Sequence, residues 1–255
     1  MARDIHYALV RRPGADYHLG ITTRSEVDPD PARIYRQHLA YCRALEALGV
    51  TLIYLDALPG HPDAYFVEDT AVLVPGLAVI TRPGAPERRG ETTSIAAVLG
   101  EHMELAAIEA PGTIDGGDVL RVGKQVFIGI SGRTNTAGAQ QLADLLEQRD
   151  FQCRLLPVAG GLHLKSALND LGPGRLLLRS GVPVPDMLRE FAITETGPGE
   201  ALAANVLWIN DTLLMPGGYP ATRERLQALG ITIRELDVSA VEAMDGGLTC
   251  MSLRW

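Results

Sequence analysis

The chain has 255 residues, 46% of them hydrophobic and 21% charged, with a net charge of −8; this describes a soluble globular protein with ample length for a core. No apolar run approaches the roughly 18 residues a membrane span needs, the start MARDIHYALVRRPG lacks the apolar stretch of a signal peptide, and no basic stripe invites nucleic acid. The three cysteines, Cys42, Cys153 and Cys250, are widely spaced and odd in number, which argues against a disulfide framework or a CxxC metal site and for a reducing cytoplasm.

The elements follow in chain order. Residues 5–10, IHYALV, are strand-like with no partner nearby. Asp30-Pro31 supplies an N-cap and a first-turn proline for a helix over 32–48, stopped by Gly49. Residues 69–81 read as a hairpin about Pro75-Gly76 and residues 92–99 as a helix. A second hairpin, over 118–130, turns at Gly123 and is followed by a helix from Asn135 to Glu147. Residues 165–179 turn at Gly172-Pro173-Gly174, and residues 205–215 at Asn210-Asp211. A helix from Pro220 is stopped by Gly230, and residues 248–255, LTCMSLRW, close the chain as a strand-like piece. The turn centres recur about every 40 to 50 residues, a repeat spacing. A lone hairpin is marginal, so the repeats must share a core. The expectation is one α/β domain over 1–255, a closed pseudo-symmetric ring of five ββα-like units, the last completed by joining the two ends. An ordinary α/β sandwich is the alternative.

The unusual polar residues recur at one place in the unit, just before its first strand. Glu68 and Asp69 precede one hairpin. Asp115 and Asp118 bracket Gly116-Gly117 before the next, His163 follows Gly160-Gly161, and Cys250 follows Gly246-Gly247. Around an axis these positions converge, bringing carboxylates, an imidazole and a thiol together. A thiol is a nucleophile only as thiolate. A histidine can shuttle its proton and a carboxylate can fix the imidazole tautomer; Cys250, His163 and Asp115 fill those roles. Further carboxylates oppose a thiolate unless the substrate is a cation such as a guanidinium. The plainer readings are a buried structural thiol for Cys250, as for Cys42 and Cys153, and turn-capping carboxylates for Asp115 and above all Asp118. No His/Cys/Asp set has metal-ligand spacing.

Six ordered motifs, PDAYFVEDTAV, ITRPGAPERR, TIDGGDVL, IGISGRTN, GGLHLKSAL and DGGLTC, resemble the dimethylarginine dimethylaminohydrolase family of the guanidine-modifying penteins, whose fold is a five-bladed α/β propeller. The resemblance runs from about residue 60 to the end of the chain. It implies cofactor-free and metal-free hydrolysis of asymmetric dimethylarginine or monomethylarginine to citrulline and dimethylamine or methylamine. In that scheme Cys250 attacks the guanidinium carbon, His163 is acid then base, and Asp115 orients His163. Asp63, Glu68, Asp69 and Asp245 surround the guanidinium, Arg88 and Arg133 grip the substrate carboxylate, and Leu19 belongs to a lid over residues 17–24. The implied partner is a small molecule, with no nucleic acid and no membrane. A homodimer is an open option, as is the preference between mono- and dimethylarginine. Arginine deimination, amidino transfer and a non-catalytic arginine-binding module are the competing readings.

Overall fold

Each repeat is organised by a residue that lets the chain reverse within two or three positions. In the computed structural model, which describes residues 4–25, 27–28, 30–159 and 161–255, Gly76, Gly123 and Gly174 turn their hairpins at φ +78, +63 and +69, and Asn210 turns a fourth at φ +49. Left-handed backbone costs a residue with a Cβ, and glycine or asparagine least. Gly160, one of the expected glycine pair before His163, lies outside the described residues.

The chain starts inside a unit. β1 (Tyr7–Arg11) leads through α1 (Pro31–Ala47) to β2 (Thr51–Leu55), parallel to it. Asp30 caps α1 by accepting from the Ala32 N–H at 2.9 Å, with Pro31 in the first turn. Removing such a cap costs about 1 kcal/mol. The helix buries Ile34, Tyr41, Cys42 and Leu45, each large aliphatic contributing roughly 1.5–3 kcal/mol.

Three complete units of hairpin, crossover and third strand come next. β3 (Ala71–Val74) pairs antiparallel with β4 (Leu77–Ile80), and α2 (Thr92–Leu99) carries the chain to β5 (Glu104–Ala107), parallel to β4. β6 (Val119–Val122), β7 (Gln125–Ile130), α3 (Thr136–Glu147) and β8 (Gln152–Pro157) repeat the pattern. So do β9 (Leu168–Asp170), β10 (Arg175–Leu178) and β11 (Ala192–Glu195), but their crossover holds only a one-turn 3₁₀ helix, Asp186–Leu188. Pro183 and Pro185 remove donors there and push their predecessors out of helical geometry.

A fourth unit and a closing strand complete the ring. β12 (Leu207–Ile209), β13 (Thr212–Pro216), α4 (Pro220–Gln227) and β14 (Ile233–Leu236) form the fourth. After the short α5 (Ser239–Glu242), β15 (Leu253–Arg254) pairs antiparallel with β1 and closes the unit the chain began with. The described residues thus form five three-stranded sheets. The expected ββα unit gains a third, parallel strand each time. The expected final strand is shorter than LTCMSLRW, because Thr249–Met251 forms a one-turn 3₁₀ helix.

Apolar clusters fill the interfaces between neighbouring units rather than one central layer. One joins α1 to β12–β14 through Ile34, Tyr41, Leu45, Ile209 and Leu214. The axis is built differently. A one-turn 3₁₀ helix precedes the first strand of each hairpin: Val67–Thr70, Gly116–Asp118, Leu164–Ser166, Ala201–Ala204 and Thr249–Met251. Neighbouring turns pack against one another. The last link is polar, with Thr249 N–H donating to Asn205 Oδ1 at 3.0 Å.

Candidate active site

The convergence expected from the sequence occurs at these turns, and it depends on glycine. A Cβ on Gly116 would stand 2.0 Å from the Glu68 carbonyl oxygen, and one on Gly117 would stand 2.7 Å from His163 Nδ1 and 2.9 Å from Asp69 Oδ1. Only a backbone without side chains lets Asp69, Asp115 and His163 approach so closely.

On the inner wall, Asp69 Oδ1 accepts the Gly117 N–H at 2.9 Å and Oδ2 pairs with Arg88 Nη1 at 2.5 Å. Asp115, fully buried, accepts the Gly84 N–H on Oδ1 at 2.9 Å and holds His163 Nε2 on Oδ2 at 3.0 Å. Asp118 instead caps: it accepts from Leu164 N–H, Ser131 Oγ and Thr134 Oγ1. Arg88 was expected to grip a substrate carboxylate. Its Nε lies 3.0 Å from Glu91 Oε1, and its Nη2 donates to Glu91 Oε2 at 2.7 Å and to the Phe66 carbonyl at 2.9 Å. With Nη1 on Asp69, one Nη1 hydrogen remains of the five a guanidinium offers, so a two-pronged grip is closed to it here.

Cys250 lies partly buried in the Thr249–Met251 turn, its N–H 3.3 Å from the Gly247 carbonyl. Glu68 ties this turn to its neighbours, accepting from Thr249 Oγ1 at 2.7 Å, Lys165 Nζ at 2.6 Å and Arg254 Nη2 at 3.1 Å. Burial, then the charges of Glu68 and Asp69, push the Cys250 thiol up to about 12, with the Gly247 contact and Lys165 opposing only in part. Burial alone would lower His163, but Asp69, the hydrogen bond to Asp115 and the charge of Asp118 outweigh it and raise the imidazole to about 9. At neutral pH the free site therefore holds a thiol beside an imidazolium.

The pocket in front of this pair is lined by Asp63, Asp69, Arg88, Arg133, His163, Asp245 and Cys250, with Ile21 and Phe66. The structure thus brings seven of the ten expected residues to one cavity. Asp115 stands behind His163, Glu68 behind Cys250, and Leu19 is 70% exposed outside the lining. Asp63 Oδ2 accepts the Ile21 N–H at 2.9 Å; burial raises its carboxyl, opposed by that N–H and by Arg88 and Arg133. Asp245, at φ +56, accepts from Thr23 N–H at 2.5 Å, Thr23 Oγ1 at 2.8 Å and Thr22 Oγ1 at 3.1 Å. Burial alone would raise its carboxyl, yet these donors and Arg24 hold it below the usual range. Two pocket carboxylates therefore tie down residues 21–24, of which Ile21 lines the pocket. Arg133 lines the pocket, and among the described residues no hydrogen bond or ion pair engages its guanidinium.

The sequence did not single out Glu91, Lys165, Thr22 or Thr23. Glu91 follows Arg88 by three residues, a spacing that could have flagged an ion pair; the two threonines carry no such signal. Asp69, Asp115 and His163 place donor atoms within 4.8 Å of one another and form the one metal-sized group among the described residues. All four carboxylate oxygens of that group already accept from Gly117, Arg88, Gly84 and His163, an arrangement that clamps an imidazolium.

The stretch 31–158 matches the family described as arginine deiminase. The chain is 38% identical over 251 residues to N(G),N(G)-dimethylarginine dimethylaminohydrolase of Pseudomonas aeruginosa, covering 98% of this chain and 99% of that one. It is 37% identical over 249 residues to the enzyme of the same name from Streptomyces coelicolor, covering 97% and 96%. The solved structure of a cysteine-to-serine mutant of the Pseudomonas aeruginosa enzyme, complexed with citrulline, matches with a TM-score of 0.94 at 36% identity, over 98% of this chain and 99% of that one.

Proposed function

The chain belongs to the dimethylarginine dimethylaminohydrolase family, and from that premise we propose that it hydrolyses asymmetric dimethylarginine and monomethylarginine to citrulline, releasing dimethylamine or methylamine. The observation that carries this reading is a raised thiol and a raised imidazole sharing one acidic cavity. Such a site is inert alone and is switched on by a cation. A bound guanidinium near Asp69 neutralises the charge that holds the Cys250 proton, which then leaves to solvent.

The thiolate attacks the guanidinium carbon. The bond from that carbon to the methylated nitrogen breaks as His163 gives its proton to that nitrogen, leaving a thiouronium on Cys250 and a neutral imidazole. Water then loses a proton to His163 and adds to the same carbon. The carbon–sulfur bond breaks, Cys250 returns as thiolate, and the product sheds its extra proton to become the ureido group. Asp115 keeps one ring nitrogen of His163 engaged throughout, and Arg133 holds the substrate carboxylate. The three free cysteines support a reducing cytoplasm as the setting.

Incubation with dimethylarginine, monomethylarginine and arginine tests the reading. Citrulline with dimethylamine or methylamine is expected, and Cys250→Ser should abolish it, since a hydroxyl has no comparable anion near neutral pH. Ammonia from arginine as the dominant product would make the chain a deiminase, and no product from any of the three would make it a binding module. A cationic haloacetamidine should also label Cys250 far faster than neutral iodoacetamide does. Labelling chiefly at Cys42 or Cys153 would contradict an acidic pocket around Cys250.

A further inference from the structure

Two cavities meet at the reacting pair. The pocket described above leaves room for about 20 Å³. A second, of about 40 Å³, reaches the same thiol and imidazole past Lys165, Ser166, Leu202, Glu242 and Thr249. The two share Cys250, His163, Asp245 and Gly246 and no other lining residue, so these four residues are the partition between them.

The hydrolase reading, on which this inference rests, gives the second cavity a task. At the first pocket, residues 21–23 are tied to Asp63 and Asp245, and Arg133 lines the same space. Once Cys250 has attacked, the amino acid part of the substrate stays attached on the Arg133 side and blocks that side of the thiol. In that interval the amine must leave and a water must arrive. At roughly 10–15 Å³ per water position, the second cavity holds about three, as many heavy atoms as dimethylamine has. Its lining suits the amine's charge. An alkylamine is protonated at neutral pH, as a lysine side chain is, and Glu242 and Asp245 face the space. The cation there, Lys165, is already paired with Glu68 at 2.6 Å. Leu202, on the Ala201–Ala204 turn, is 39% exposed and marks the outer lip.

We propose that this second cavity is the route by which the released amine leaves and the hydrolytic water arrives while the rest of the substrate remains on Cys250. The amine departs with the proton that His163 gave it and takes one more from solvent to become the ammonium. The ureido product later returns that proton.

Two substitutions outside the machinery test the route. Leu202→Trp narrows the lip, and Glu242→Gln removes a carboxylate while keeping an oxygen for the Tyr219 hydroxyl, now 2.9 Å away. Rapid-quench experiments with dimethylarginine would follow the covalent adduct by intact mass alongside citrulline. With Leu202→Trp the adduct should form at the unaltered rate and accumulate, with citrulline slowed about tenfold, because release and rehydration become limiting. Glu242→Gln should slow turnover of dimethylarginine by roughly threefold and leave untouched an analogue that releases neutral methanethiol. Citrulline formed at the unaltered rate by both variants, with no build-up of adduct, would overturn the route. If Leu202→Trp fails to fold, the Glu242→Gln contrast between charged and neutral leaving groups decides. No citrulline from the unaltered enzyme would be a failure of the hydrolase reading itself, and the route would fall with it.

Discussion

On the inner wall of the pocket, Asp69, Arg88 and Glu91 hold one another, as do Asp115 and His163, the two groups meeting where His163 Nε2 lies 4.0 Å from Asp69 Oδ1, and both oxygens of Asp69 and of Asp115 are engaged. At the mouth, no hydrogen bond or ion pair among the described residues engages the Arg133 guanidinium, and Leu19 stands 70% exposed. Both regions line or border one cavity, but the wall is finished before substrate arrives and the mouth is not. A wall of this kind fixes charge ahead of the reaction and need not reorganise during it. Unpaired groups at the mouth keep their hydrogen-bonding capacity for a ligand. The difference predicts that changes to the wall register as lost stability and changes to the mouth as lost affinity.

The sharpest way to break that contrast is Arg88→Ala. It leaves buried Glu91 without its cation and Asp69 with His163 as its remaining positive neighbour, and removing one partner of a buried pair costs about 3–5 kcal/mol. Urea denaturation should show a loss of that size. A loss below about 1 kcal/mol, within the range of an exposed pair, would mean that Arg88 is free to serve substrate after all. Arg133→Ala is the counterpart. Stability should stay within about 0.5 kcal/mol of the parent, while KM for dimethylarginine rises by the equivalent of about 2–4 kcal/mol, ~30-fold to several hundred-fold. A guanidine without a carboxylate should lose little. Equal losses on both substrates would remove Arg133 from the carboxylate.

A pH titration sharpens the comparison from the wall's side. The folded value of His163, about 9, is raised from the ordinary 6.5. The stability it contributes is therefore complete below 6.5 and is lost as pH rises through 9. The amount is on the order of 3 kcal/mol. His38, lowered to about 4 by burial and then by Arg12, is the same in the parent and in His163→Gln and cancels from the difference between them. Denaturation of the parent and of His163→Gln at pH 6.5 and pH 9 should give a gap that shrinks by that amount. A constant gap would mean that the imidazole is neutral in the free site.

Much of this was legible in the sequence, and the rest was hidden for identifiable reasons. Turn glycines and Asn210 announced the hairpins, and their spacing announced the ring, because φ > 0 is a local demand. Third strands such as β5, ELAA, and β14, IREL, were silent. They are short, largely exposed edges that carry no alternation and, Ile233 aside, no residue that favours strands. Cys250, His163 and Asp115 could be placed together because each occupies the same position in its repeat. The partner of Arg88 could not be chosen that way. A substrate carboxylate and the Asp69–Glu91 pair are equally good matches for a guanidinium, and only burial decides between them. Thr22 and Thr23 reach Asp245 across more than two hundred residues, a pairing no local pattern encodes.

The smallest expected effect belongs to Leu19, and it bears on whether the mouth changes when substrate binds. In the free protein its side chain is 70% exposed and makes no contribution to the pocket lining. Leu19→Ala should therefore leave urea denaturation unchanged within about 0.5 kcal/mol. The neighbouring residues 21–24 are held by Asp63 and Asp245, so Leu19 lies two residues before a segment anchored to the pocket. If it folds over bound substrate as a lid residue would, truncation forfeits part of the roughly 1.5–3 kcal/mol that burying a leucine is worth. About 1 kcal/mol is a reasonable share, which is roughly a fivefold rise in KM. The rise should be the same for dimethylarginine and monomethylarginine, since an apolar cover over the opening does not read the methyl count. An unchanged KM would leave Leu19 as an exposed leucine with no part in holding the substrate.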